Sequence, residues 1–87
     1  NDYSLSQNYP NPFNPETNIE YDLPVAGKVE LNVYDISGKL MKVLVNEFKP
    51  AGNYSITLNA GDLPSGVYLY TLKAERYEKT LRMVVIK

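Results

Sequence analysis

The chain has 87 residues, 44% of them hydrophobic and 22% charged, with a net charge of −1; this fits one small folded domain with a thin core rather than a disordered tail. It contains no cysteine and no histidine, so disulfides, thiolate metal sites and the commonest general base are excluded. Lys and Arg are not in excess, which argues against nucleic acid as a partner, and no apolar run approaches the ~20 residues of a membrane-spanning helix.

The first distinctive stretch is Asn8-Tyr9-Pro10-Asn11-Pro12-Phe13-Asn14-Pro15-Glu16-Thr17. Its prolines exclude a helix and a central strand, and they push the residues before them into extended shapes. A stiff lead-in is expected, with Tyr9 and Phe13 tucked against the domain and the asparagine side chains bonding nearby backbone. Ile19, Tyr21 and Leu23 then alternate with Asn18, Glu20 and Asp22, the period of a half-buried strand, which stops at Pro24-Val25-Ala26-Gly27. Val29, Leu31 and Val33 alternate in the same way.

Asp35-Ile36-Ser37-Gly38-Lys39 reads as a tight hairpin with a bulge at the glycine. Leu40 to Val45 is apolar apart from Lys42, which leaves its inward face open between Leu40/Leu44 and Met41/Val43/Val45. Pro50 and Gly52 mark the next turn, and Tyr54, Ile56 and Leu58 the next strand. A loop from Ala60 to Gly66 leads to a strand from Val67 to Ala74, apolar on both faces. Glu75 to Glu78 forms a short hairpin, and Lys79 to Lys87 is the last strand, with Leu81, Met83 and Val85 on one side.

Short strands with turn signals every eight to twelve residues define an all-β chain, an immunoglobulin-like antiparallel β-sandwich of about seven strands. Residues 1–35 carry Asp2, Glu16, Glu20, Asp22, Glu30 and Asp35 against Lys28, while residues 73–87 carry Lys73, Arg76, Lys79, Arg82 and Lys87 against Glu75 and Glu78. Pairing of the first and last strands would let these charges complement each other.

No catalytic constellation is present, and no cofactor is expected. Asp35 and Asp62 sit in glycine-containing loops, where turn chemistry outweighs a calcium site. Tyr34, Tyr77 and one face of Tyr68/Tyr70 could form a sugar-stacking platform, although tyrosine is also simply a good strand residue. The chain shows no N-terminal signal peptide, which leaves a cytoplasmic protein or a piece of a longer exported one.

The order of its words is more specific than any average. Leu5 to Thr17, an Ile-x-Tyr-x-Leu-Pro strand from Ile19 to Pro24, Val33-Tyr34-Asp35-Ile36-Ser37-Gly38, Leu63-Pro64-Ser65-Gly66-Val67-Tyr68-Leu69-Tyr70 and a basic-then-apolar end follow one another. This series resembles the C-terminal sorting domain (type A) of the type IX, or Por, secretion system; it is also similar to the Ig-like domain of flagellar hook-capping proteins. The resemblance implies a non-catalytic module at the end of an exported cargo, read by an outer-membrane translocon. It also implies partnership with a sortase-like peptidase that cleaves and anchors the cargo, and a secreted or cell-surface destination reached through the periplasm. Residues 1–7 would then end the linker from the upstream cargo, and residues 8–87 would form the sorting domain, a monomer by expectation. The family's recurring positions map to Asn8, Tyr9, Pro10, Asn11, Pro12, Phe13, Asn14 and Pro15, and to Gly66 and Tyr68. They map also to the final strand with Lys79 and Lys87. Lys79, Arg82, Val85, Lys87, Gly66 and Tyr68 are the positions expected to meet the translocon, with strand addition at a sheet edge as the mode; the rival is that Lys79, Arg82 and Lys87 only guard that edge against aggregation. Two alternatives of other classes are an accessory carbohydrate-binding or spacer module and a structural hook-capping-type domain.

Overall fold

A computed structural model describes residues 2–87 and contains no helix among them. Seven strands form: β1 Ser4–Leu5, β2 Glu16–Leu23, β3 Gly27–Asp35, β4 Leu40–Lys49, β5 Gly52–Asn59, β6 Gly66–Ala74 and β7 Tyr77–Val85. β2 and β3 have the clear period-two pattern that lets one face leave water, and the strands meet as two antiparallel sheets. One sheet has the order β1-β2-β5 and the other β4-β3-β6-β7. The predicted inward residues Ile19, Tyr21, Leu23, Val29, Leu31, Val33, Met83 and Val85 are all buried in a single core drawn from both sheets. The fold is therefore the Ig-like sandwich expected.

Turn chemistry differs between the connections. The two hairpins, β3–β4 and β6–β7, have no proline. At the first, Gly38 takes φ 91°, a conformation suited to glycine. There Asp35 Oδ1 accepts bonds from Ser37 N (2.8 Å), Ser37 Oγ (2.6 Å) and Lys39 N (3.0 Å). These bonds, that of the Ser37 side chain foremost, hold the Asp35 carboxyl below its ordinary range. The three connections that cross between sheets each carry a proline, Pro24, Pro50 or Pro64. A residue without a backbone donor ends a ladder, so the strands stop there. The change of sheet is not set by proline itself, since the β1–β2 connection carries Pro10, Pro12 and Pro15 and stays within its sheet.

Two expectations fail. The acidic β2 does not pair with the basic β7; they lie in different sheets. Charges complement each other locally instead, with Lys73 opposite Glu30 on one side and Glu78 on the other. Nor does β4 follow either of the two alternations. Register shifts at Leu31/Asn32 and at Val33/Tyr34 each change which side chains point inward. As a result Val45 is buried, Met41 and Leu44 pack against the core from part-buried positions, and Leu40 and Val43 face water.

Candidate functional site

The lead-in is built onto the sandwich as a plug. Tyr9 and Asn18 exchange backbone bonds, each 2.9 Å, which lays the chain along β2. Strand-like alternation then sends Asn8 inward and Tyr9 outward. Asn8 is fully enclosed: its N–H donates to the Tyr70 hydroxyl (2.8 Å), and its Nδ2 donates to Pro10 O (3.2 Å) and Thr17 Oγ1 (3.1 Å). Tyr70 in turn donates to Ser6 O at 2.7 Å, and burial pushes its hydroxyl up to about 12. The peptide bonds Tyr9-Pro10, Asn11-Pro12 and Asn14-Pro15 are cis.

Of the two rings expected to tuck in, Phe13 does, at 2% exposure, whereas Tyr9 is 81% exposed. The reason is the backbone pairing with Asn18, which fixes the side-chain parity and gives the inward place to Asn8. The lead-in is likewise not a straight strut, because Phe13 must reach the core beneath β7.

The plug covers an edge. β7 pairs with β6 on one side, and its other side would present open backbone groups. Phe13 N donates to Val84 O (3.1 Å) and Ile86 N donates to Phe13 O (3.0 Å). Val84 N donates to Asn11 Oδ1 (2.9 Å), and Gln7 Nε2 donates to Arg82 O (2.7 Å). The stretch from Arg82 to Ile86 is thus occupied by the chain's own N-terminal segment. The same parity turns the backbone of Glu78 and Thr80 outward, beyond the reach of these contacts.

The predicted site residues fall into two groups. Gly66 pairs with Val85 and Tyr68 with Met83, at the end of the sheet where Lys87 Nζ donates to Gly61 O (2.6 Å). Val85 and Tyr68 are buried, so they shape this end from within. Lys79 is exposed at the far end of β7, about 26 Å from Lys87 at strand rise, and exposed Arg82 projects from the opposite face to Lys79. Asp62 is held by Lys42 at 3.0 Å, and that bond keeps its carboxyl below the usual range. The tyrosine platform is not assembled: Tyr68 and Tyr70 are buried, and Tyr77 stacks on Tyr3 with ring centroids 5.1 Å apart.

A motif missed in the sequence is Pro-x-Gly-x-Tyr, which occurs as Pro50-Ala51-Gly52-Asn53-Tyr54 and again as Pro64-Ser65-Gly66-Val67-Tyr68. Tyr54 donates to Pro50 O (2.6 Å) and Tyr68 to Pro64 O (2.7 Å), and the glycines share φ values of 154° and 155°. Each is a tyrosine corner, a known device of Ig-like sandwiches. The fixed spacing of the two copies was the signal available.

The family model described as "Secretion system C-terminal sorting domain" matches residues 7–87. The chain belongs to that family. It is a type IX sorting-signal domain, and membership implies interaction with the type IX machinery, a cargo upstream, and export toward the cell surface or the extracellular space. No curated protein and no solved structure matches it. As a sorting domain it belongs to a generally non-catalytic class.

Proposed function

We propose that this sorting domain carries its upstream cargo across the outer membrane as a non-catalytic, folded signal. In this reading the translocon meets Lys79, Arg82 and Lys87 on the final strand, while Gly66, Tyr68 and Val85 hold that strand's end in shape. A sortase-like peptidase then cleaves the junction and joins the cargo to the cell surface. We place the end of the linker at residues 1–7, whose Ser4–Leu5 portion already lies on β2, and the module at residues 8–87. The observation that carries the reading is the family match over residues 7–87. Support comes from the exposure of Lys79 and Arg82 on β7 and of Lys87 just beyond it.

The covered edge refines the mode of contact. Strand addition along Arg82–Ile86 requires displacement of Asn11–Phe13 and of the Gln7 side chain, whereas Glu78 and Thr80 offer outward backbone directly. The test is a periplasm-directed reporter fused to residues 1–87 in a host with the translocon. Export is expected, and Lys79→Ala combined with Lys87→Ala should leave the fold intact and the reporter in the periplasm. A folded double variant that is still exported would remove those residues from the recognition surface.

A further inference from the structure

Three side chains of the lead-in serve the fold directly. Asn8 is a buried bonding hub, Asn11 caps Val84 N, and Phe13 fills the core. Tyr9 differs: it contributes its backbone to β2 and holds its ring 81% in water. Most other tyrosine rings are occupied, by the core or by one another, as in the Tyr21–Tyr54 stack at 5.2 Å. Tyr9 alone among the described tyrosines is exposed.

The ring stands as a wall between two open grooves of about 240 Å³ each. That is below the roughly 300 Å³ at which enclosed small-molecule pockets begin. One groove is floored by Pro10, Asn18 and Thr57 with Glu16 at its rim, and the other reaches Glu20. The polar floor is held in place. Thr57 Oγ1 donates to Asn18 Oδ1 at 2.8 Å, which leaves the Asn18 amide nitrogen as the donor available to a ligand. Ser6 Oγ clamps the backbone of Glu20, donating to its O and accepting from its N, both at 3.0 Å.

We propose that Tyr9 and this floor form a binding site for a neutral glycan. A flat ring on a backbone fixed to β2 offers its electron-rich face to the polarised C–H groups of a pyranose. The amide, hydroxyl and carboxylate groups beside it match the alternating donors and acceptors of sugar hydroxyls. An apolar peptide side chain would want an aliphatic wall, and apart from Pro10 none stands here. Glu16, Glu20 and Asp22 on the same sheet face repel anionic polysaccharides, so the site selects uncharged chains. Because the backbone of Tyr9 is already fixed to β2, only side-chain freedom is lost there on binding.

The site is separate from the translocon reading and is tested separately. The 87-residue chain is run in native gels containing β-1,3-glucan, mannan or xyloglucan as neutral probes, and alginate as the anionic one. Retardation is expected in at least one neutral gel and not in alginate. Tyr9→Ala and Tyr9→Leu should each weaken it at least fivefold with an unchanged melting temperature, and Tyr9→Trp should retain it. The proposal is overturned by no retardation in any neutral gel, by retardation confined to alginate, or by retardation that Tyr9→Ala leaves unaltered. It is equally overturned if Tyr9→Ala spares glycan retention but blocks reporter export, which would make the ring a protein contact.

Discussion

Tyr70 is the residue on which most of the lead-in converges. Its hydroxyl is neutral, buried, and bonded to both Ser6 O and Asn8 N. Because burial raises its pKa to about 12, the protonated form is the one that the fold favours. Its contribution to stability is therefore fully present below the unfolded tyrosine pKa of about 10 and is lost as pH rises through about 12. Burial raises Tyr21 and Tyr77 in the same direction. Urea unfolding followed by circular dichroism should show stability falling across that alkaline window. Tyr70→Phe should lower stability by about 1–3 kcal/mol at pH 8, since it strands a buried N–H and a carbonyl, and should flatten the alkaline slope. A slope unchanged by the substitution would show that Tyr70 does not report on this transition.

The two tyrosine corners have the same chemistry in different surroundings. The Tyr68–Pro64 bond is part-buried at the start of β6, in the centre of the four-stranded sheet. The Tyr54–Pro50 bond is exposed at the edge strand β5, where Tyr54 also stacks on Tyr21 and lies 4.9 Å beneath the Lys49 ammonium. A hydrogen bond that water can replace is worth less than one that water cannot reach. Tyr68→Phe should therefore cost about 1–2 kcal/mol and Tyr54→Phe well under about 1 kcal/mol by chemical denaturation. Equal losses at the two sites would rule out solvent access as the cause of the difference. The local motif could not rank them, because Pro-x-Gly-x-Tyr is the same at both sites; the difference lies in the strands that follow, alternating in β5 and apolar on both faces in β6.

Across the whole molecule, the lead-in joins the first residues of the domain to its last strand. Phe13 provides this closure, reaching Val84 and Ile86 through its backbone and the shared core through its ring. Phe13→Ala should cost about 3–5 kcal/mol, a large part of the roughly 4–13 kcal/mol total of a domain this size. Hydrogen exchange should then quicken at Val84 and Ile86 before β3 and β6, and uniform quickening would contradict a local clamp. The sequence by itself determined β2 to β7 in outline, the buried faces of β2, β3 and β7 and the sorting-domain resemblance, but not the short β1. Those properties follow from local alternation, turn residues and the order of short words. Tertiary structure alone decided which sheet each strand joins, the mixed inward face of β4, and the division of labour in NYPNPFNPET. The physical reason is that register shifts and an edge cover are satisfied by backbone groups far apart in the chain. Period-two patterning marks Tyr9 and Phe13 alike as aromatic, and only the pairing of Tyr9 with Asn18 turns one ring out to water while the other fills the core.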